Sequence, residues 1–172
     1  MSASRFLAVC VMGVSGSGKT SIGEGLAARL GYAFLEGDRL HPAANVEKMS
    51  KGIPLVDDDR WPWLDAIGAE IGRHLAAGEG LVLSCSALKR AYRDRLRKAA
   101  GGRLAFVYLD GSRALLGARM GAREGHFMPL SLLDSQLATL EVPTGEPGVV
   151  TVAIDADIDT IVARAVEGLA GL

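Results

Sequence analysis

The chain has 172 residues, of which 49% are hydrophobic and 23% are charged, proportions that are ordinary for a soluble globular protein. That length suits one domain with a full hydrophobic core. A net charge of −1 leaves no basic excess for neutralising nucleic-acid phosphates, which excludes a general nucleic-acid-binding protein. The apolar N-terminal run is too short to cross a membrane, so no membrane partner is expected.

Both cysteines, Cys10 and Cys85, lie inside apolar runs. We predict that they are buried thiols on neighbouring strands in a reducing cytosol, and not a disulfide. The sequence around them has no spacing typical of metal ligands. These features predict a cytoplasmic protein.

A glycine-rich loop near the N-terminus carries the strongest signal in the chain. Residues 13–20, GVSGSGKT, match the pattern G-x-x-x-x-G-K-[ST]. The loop follows the apolar run 6–12 and precedes a segment with Ile22, Leu26 and Leu30 at helical spacing. A strand, a glycine-rich loop and a helix make a phosphate cradle, because successive N–H groups and the helix N-terminus face the anion.

We therefore predict that this P-loop binds ATP through its eight residues. Lys19 is expected at the β- and γ-phosphates, and the hydroxyl of Thr20 is expected at Mg²⁺. The predicted cofactor-binding residues are Gly13, Val14, Ser15, Gly16, Ser17, Gly18, Lys19 and Thr20.

Strand and helix signals alternate along the rest of the chain. Strands are predicted at 6–12, 33–36, 81–85, 104–109 and 149–154. Helices are predicted at 19–30, from 42, from 62, at 87–100, from 112, at 131–140 and from 157. This alternation predicts the P-loop NTPase class of α/β fold, a five-stranded parallel sheet with helices on both faces. We expect one domain over 1–172, with a flap at about 39–63 and a small helical lid at about 117–130.

Two acids follow the second predicted strand. Glu36 ends it and Asp38 comes two residues later, at the carboxyl edge of the sheet where ligands collect. Glu36 is expected to help Thr20 hold Mg²⁺ through water, and Asp38 to orient and deprotonate an attacking hydroxyl. The third strand ends in Ser84, Cys85 and Ser86, without the acid that GTPases and motors usually carry there, which disfavours those classes.

Arginines four residues apart are predicted on one face of the lid. Arg119 and Arg123 are expected to close over the transferring phosphoryl group. Phosphoryl transfer needs positioning and charge neutralisation more than covalent chemistry, and closure also excludes water. The predicted catalytic residues are therefore Lys19, Asp38, Arg119 and Arg123.

The acceptor side of the predicted site mixes cations with hydrogen-bonding groups, as a small polyhydroxylated anion requires. These residues also have structural alternatives: His41 could be a turn residue, and Arg60 could pair with Asp57 or Asp58. Ser86 could cap the helix that follows, whose basic residues could form a solvated face. Trp61 and Trp63 are expected to pack. The predicted substrate residues are Asp38, His41, Arg60, Ser86, Lys89 and His126.

Several segments together resemble the small P-loop gluconokinases, which are related to shikimate kinases and nucleoside-monophosphate kinases. These segments are GVSGSGKTSIG from 13, GDRLHPAANVEKMSKGIPLVDDDRWPWL from 37, CSALKRAYRDRLR from 85, VYLDG from 107 and GHFMPLSLLDSQLATLEVP from 125. The P-loop by itself indicates only a nucleotide. The Gly-Asp-x-Leu-His-Pro, Asp-Arg-x-Pro-Trp-Leu and Gly-His-Phe-Met-Pro segments are much more specific together.

The resemblance implies ATP-dependent phosphorylation of D-gluconate at its 6-hydroxyl, which gives 6-phosphogluconate for sugar-acid catabolism. It also implies a cytosolic enzyme that is often a homodimer. Asp38 and His41 would then face the substrate, Arg60 and Lys89 would hold the sugar acid, and 119–126 would form the lid. Two alternatives stay open: a kinase of the same fold acting on shikimate or a nucleoside monophosphate, and a non-catalytic nucleotide-dependent module.

Overall fold

A five-stranded parallel sheet forms the centre of the computed structural model, which describes residues 6–122 and 130–172. The sheet order is β2-β3-β1-β4-β5, and each neighbouring pair is parallel. The strands are β1 (Ala8–Met12), β2 (Ala33–Glu36), β3 (Leu81–Ser84), β4 (Leu104–Asp110) and β5 (Val149–Ala153). The predicted α/β class is therefore confirmed.

Helices cover the sheet on both faces. The connection from β1 to β2 runs toward one edge of the sheet, and the connections from β2 through β3 and β4 to β5 run toward the other edge. Because such crossovers are right-handed, α1 lies on one face and the helices of the later connections lie on the other. In agreement, α1 packs beside α7, and α3 packs beside α4. The helices are α1 (Lys19–Leu30), α2 (Ala43–Ser50), α3 (Asp57–Ala76), α4 (Arg90–Ala99), α5 (Arg113–Ala122), α6 (Leu130–Thr139) and α7 (Ile158–Ala170).

The core is centred on β1, whose five residues are fully buried. This central position between β3 and β4 explains the continuous apolar run, because helices cover both faces of the strand. Cys10 and Cys85 are buried free thiols, as predicted. Among the described residues, no helix is both long enough and apolar enough to span a membrane.

Helix α3 begins at Asp57, five residues earlier than predicted. Three aspartates, Asp57, Asp58 and Asp59, occupy its first turn, where carboxylates are favoured by the exposed N–H groups. The Asp59 carboxylate also accepts the Val56 N–H at 2.9 Å. The prediction placed Pro62 in the first turn, but it lies inside the helix.

Helix α4 begins at Arg90, so the prediction that Ser86 caps it is wrong. The intervening residues form a loop in which Ala87 has a φ of 46°, a left-handed value that interrupts helical geometry. Arg93, predicted on a solvated face, is instead completely buried beneath this loop. The loop therefore belongs to the site and not to the helix.

Strand connections leave β1 and β3 in opposite directions along the sheet, which opens a crevice at their carboxyl ends. The P-loop lies at the end of β1, and the acids of β2 lie one strand beyond β3. The fold thus brings residues 13–20, 36–41 and 84–89 to one edge of the sheet.

Candidate active site

The P-loop turns sharply between β1 and α1, and helix α5 closes over it. Gly16 has a φ of 84°, and a Cβ there would lie 2.8 Å from the Leu116 carbonyl oxygen and 2.9 Å from Met120 Cγ. Both the backbone conformation and the close approach of α5 therefore require glycine. In this arrangement the Ser15 N–H is bonded to the Gln136 side chain and the Ser17 N–H to the Val14 carbonyl.

Lys19 and Ser17 support the loop from inside. The Lys19 ammonium donates to the Val14 carbonyl oxygen at 3.0 Å, and the Ser17 hydroxyl donates to the same oxygen at 2.7 Å. Lys19 also lines the cleft in front of the loop. A lysine at this point places a compact positive charge beside any bound phosphate.

Glu36 links helix α1, which follows the P-loop, to strand β3, which ends without an acidic residue. Its carboxylate accepts the Thr20 hydroxyl at 2.6 Å and the Ser84 hydroxyl at 2.5 Å. Glu36 and Ser84 are register partners on β2 and β3, so the sheet itself aligns them. Glu36 on β2 is therefore a carboxylate bonded both to Thr20 of α1 and to Ser84 at the end of β3.

Gly37 and Asp38 begin a short 3-10 turn, Gly37–Leu40, after β2. A Cβ on Gly37 would lie 2.0 Å from the Ser84 carbonyl oxygen, and the Gly37 carbonyl accepts the Trp63 indole N–H at 2.9 Å. These contacts anchor the turn on both sides. They place the Asp38 side chain, which is 64% exposed, in the cleft.

We expect Gly37→Ala to unfold the turn that carries Asp38, because the added methyl group meets backbone and not a movable side chain. Overpacking of this kind costs about 1–3 kcal/mol, measured as a loss in the free energy of unfolding by denaturant. Activity should fall as well.

The control for this variant is Gly72→Ala in helix α3, where the nearest atom would be 3.9 Å from the new Cβ. Alanine in a helix interior should stabilise by about 0.5–1 kcal/mol. If both variants proved equally stable, the proposed anchoring of the Gly37 turn would be wrong.

His41 packs flat against Trp63, with ring centroids 4.0 Å apart. Its Nδ1 accepts from the Asn45 amide at 3.1 Å, which puts the proton on Nε2, 3.9 Å from the Asp38 carboxylate. Burial, together with the charge of Arg60, lowers the pKa of His41, although Asp38 opposes this. A neutral imidazole therefore faces the cleft as a hydrogen-bond donor.

Arg60 and Lys89 are joined through Tyr92, which is buried at the base of the acceptor side. Arg60 donates to the Tyr92 hydroxyl at 2.9 Å, and that hydroxyl donates to Asp57. Lys89 pairs with the same carboxylate at 3.1 Å. The hydrogen bonds from Tyr92 and Lys89 lower the pKa of Asp57. The alternative that Arg60 pairs directly with an aspartate is not what the structure shows.

Arg93 holds the loop of Ser86 in place from below. Its guanidinium uses all five donors: on the carbonyls of Ala87 and Leu88 at 2.8 and 3.1 Å, on the carbonyl of Glu141, and twice on the Glu146 carboxylate. Arg93 thereby lowers the pKa of Glu146. Above the clamp, the carbonyl of Ser86 accepts the Gly13 N–H at 3.3 Å, which links this loop to the P-loop.

The arginines predicted for the lid are placed only in part. Arg119, on α5, donates to the Ile154 carbonyl oxygen at 2.5 Å, directly after β5 and two strands away from β1 and its P-loop. In this conformation its guanidinium is engaged there and not over the P-loop. Arg123 and His126 lie outside the described residues, as do all lid residues from 123 to 129.

One cleft brings together six of the predicted site residues. Its apolar wall comes from α2, the loop after it, residue 88 and α6. Lys89 directly follows the cleft residue Leu88, with its ammonium paired to Asp57. The predicted residues that line the cleft are Ser15, Lys19, Asp38, His41, Arg60 and Ser86.

Known proteins are similar to this chain over most of its length. A family model described as an AAA domain matches residues 9–143. The chain is 54% identical to the gluconokinase of Gluconobacter oxydans over 91% of its own length and 86% of the relative's. The chain belongs to the gluconokinase family. Its identity to the thermosensitive gluconokinase of Escherichia coli K12 is 47%, over 88% of this chain and 81% of the relative.

A solved gluconokinase structure from Sinorhizobium meliloti 1021 superposes with a TM-score of 0.89 at 57% identity. The match covers 97% of this chain and 94% of that one. Both the sheet and the surrounding helices are therefore those of the gluconokinase family. The resemblance identified from the sequence segments is confirmed.

Sequence reasoning missed three residues that organise this gluconokinase-family site: Tyr92, Arg93 and Gln136. Tyr92 and Arg93 stand in a basic helix. Its charges suggested a solvated face for Arg93, and a count of charges does not show that one arginine is buried. The Gln136 amide oxygen accepts the Ser15 N–H at 2.8 Å. A polar residue between Leu133 and Leu137 on the predicted helix was the available signal.

Proposed function

We propose that this chain catalyses ATP-dependent phosphorylation of D-gluconate at its 6-hydroxyl, with 6-phospho-D-gluconate and ADP as products. The observation that carries the proposal is the shared cleft, because Lys19 of the P-loop and Asp38 of the acceptor turn both line it. Family membership supplies the choice of acceptor. The relatives named as gluconokinases align over most of this chain.

The donor half consists of the P-loop and its supports. Backbone N–H groups of residues 13–20 would hold the phosphates, and Lys19 would neutralise charge at the terminal phosphate. The oxygen donors of Thr20 and Glu36 suit Mg²⁺, which takes few protein oxygens and keeps its remaining positions for water and phosphate. When bound there, Mg²⁺ would neutralise the charge that develops on the phosphates.

The acceptor half centres on Asp38. Its carboxylate would take the proton of the 6-hydroxyl as the hydroxyl oxygen forms a bond to the γ-phosphorus, while the bond to the departing ADP oxygen breaks. The exposed position of Asp38 in the cleft leaves it reachable by a substrate hydroxyl. His41 would donate from Nε2 to a sugar oxygen.

The cations on the acceptor side suit the carboxylate of a sugar acid. Arg60 lines the cleft with its guanidinium steadied by Tyr92, and Lys89 stands beside it on Asp57. The hydroxyl of Ser86 adds a further polar group between the two loops. Such a set of fixed donors favours a polyhydroxylated anion over a nucleobase, which would need a stacking surface.

The remaining assignments complete the proposal. Residues 39–63 would act as a flap and 117–130 as a lid of the single domain, with Arg119, once released from Ile154, and Arg123 closing over the phosphoryl group and His126 facing the substrate. We also propose a cytoplasmic homodimer that binds neither nucleic acid nor membrane.

The test is ADP release in a coupled assay, with D-gluconate, shikimate and a nucleoside monophosphate as separate acceptors. We expect D-gluconate to stimulate ADP release and the other acceptors to have little effect. Stimulation by another acceptor without stimulation by gluconate would overturn the choice of substrate. Nucleotide binding without any acceptor-stimulated turnover would instead indicate a non-catalytic module.

A further inference from the structure

Gln136 accepts a hydrogen bond from one of the backbone N–H groups of the P-loop. Its side-chain oxygen Oε1 accepts the backbone N–H of Ser15 at 2.8 Å and stands 3.2 Å from the Ser15 hydroxyl. Ser15 is the third residue of the P-loop and lines the cleft beside Lys19 and Asp38. A neutral amide oxygen therefore occupies a donor that P-loops direct at phosphate oxygens.

The helix that carries Gln136 is held on both sides of this contact. Leu132 and Leu133 are buried, and Asp134 forms a two-point ion pair with Arg113 of α5 at 2.6 and 3.0 Å. Beyond the helix, the Glu141 N–H donates to the Leu88 carbonyl at 2.7 Å. Gln136 is thus presented to the P-loop by an anchored element, and its oxygen reaches the loop by a defined contact.

The contact lies at the acceptor end of the cradle. Ser15, Asp38 and Gln136 line the same cleft, and a transferable phosphate must approach the acceptor from this side. A phosphate oxygen carries full charge and is a stronger acceptor for an N–H group than an amide oxygen. The Ser15 N–H has one hydrogen, so a phosphate oxygen gains it fully only when Gln136 releases it.

We propose that Gln136 is a positioning residue of the donor site, a stand-in for an oxygen of the terminal phosphate. Its amide oxygen keeps the Ser15 N–H satisfied and the loop ordered in the nucleotide-free protein, and yields that N–H when ATP binds. The inference rests on the nucleotide-binding part of the proposed function. ADP, which lacks the terminal phosphate, leaves the contact with Gln136 in place.

The experiment measures dissociation constants for ATP and ADP in the full chain with Mg²⁺, by displacement of a fluorescent nucleotide. Gln136→Ala removes the competing acceptor, so ATP should bind about two- to tenfold more tightly, the range expected for one neutral hydrogen bond that no longer has to be broken. ADP affinity should stay within about twofold. Gln136→Glu places a negative charge at the terminal phosphate and should weaken ATP binding at least about tenfold.

Asp134→Asn is the control, because it removes only an exposed ion pair with Arg113 and leaves the Gln136 side chain and the buried Leu132 and Leu133 of α6 in place. Its ATP affinity should match that of the parent. The proposal is overturned if Gln136→Ala binds ATP no more tightly than the parent, if ADP gains as much as ATP, or if Asp134→Asn reproduces the gain. These titrations need no acceptor. If the parent protein bound ATP but did not phosphorylate gluconate, the proposed reaction would be wrong, and the titrations would still test the role of Gln136.

Discussion

Asp38→Asn is expected to lower kcat for gluconate phosphorylation by about 10²- to 10⁴-fold, the range typical for loss of a general base. Asparagine keeps the size of the side chain but cannot accept a proton from the acceptor hydroxyl. The P-loop contacts do not involve this residue, so ATP affinity should change less than about threefold. Steady-state kinetics with varied ATP and gluconate separate the two effects.

The matched control for this substitution is Asp65→Asn, on the exposed side of α3, where the carboxylate pairs only with Arg95 among the described contacts. Exposed pairs of this kind contribute about 0–1 kcal/mol, so its kcat should stay near that of the parent. A normal kcat in Asp38→Asn would contradict the role of Asp38 as base. A large loss in ATP affinity would point to a donor-side role instead.

Lys19→Ala is expected to reduce kcat/KM by at least about 10²- to 10³-fold, the cost of removing one charge-stabilising donor from a reacting centre. The ammonium sits on the Val14 carbonyl at the mouth of the loop and supplies the positive charge for the terminal phosphate. Because that charge acts on the transferring group, kcat should fall more than ATP affinity.

Lys51→Ala serves as the control, since this exposed lysine pairs with Glu47 at the end of α2, away from the loop. We expect its kinetics to resemble those of the parent. A Lys19→Ala protein with full activity would contradict the phosphate-cradle interpretation. The thermal stability of both variants should be compared, so that a folding defect is not mistaken for lost chemistry.

The order of strands and helices was predictable because buried positions recur in the sequence with the spacing of a strand or a helix. The run at β1 is apolar throughout because both of its faces are covered. Helix α7 directly follows Asp157, whose carboxylate accepts the Thr160 N–H at 2.7 Å as a capping residue does. The start of α3 was predicted too late, since proline was given more weight than the three aspartates before it. Both are compatible with one helix, and only packing decides where it begins.

The parts of the site that are contiguous in the chain were predictable from local sequence, and the contacts between distant segments were not. The P-loop is a contiguous motif, and Glu36 and Asp38 follow a strand whose end points to the ligand edge. Tyr92 and Gln136 act through contacts with residues more than 30 positions away, and Arg93 joins the nearby loop of Ala87 to Glu146, 53 positions away. Their roles follow from the positions of other elements, which no local pattern encodes.

The most direct test of the proposed reaction is phosphorus NMR of the products formed from ATP and D-gluconate by the unaltered protein. We expect ADP and one phosphomonoester in equal amounts, with the phosphorus signal split into a triplet by the two hydrogens on C6. A doublet, which reports a phosphoryl group on a secondary hydroxyl, or ADP accompanied only by inorganic phosphate, would contradict the proposed transfer to the 6-hydroxyl.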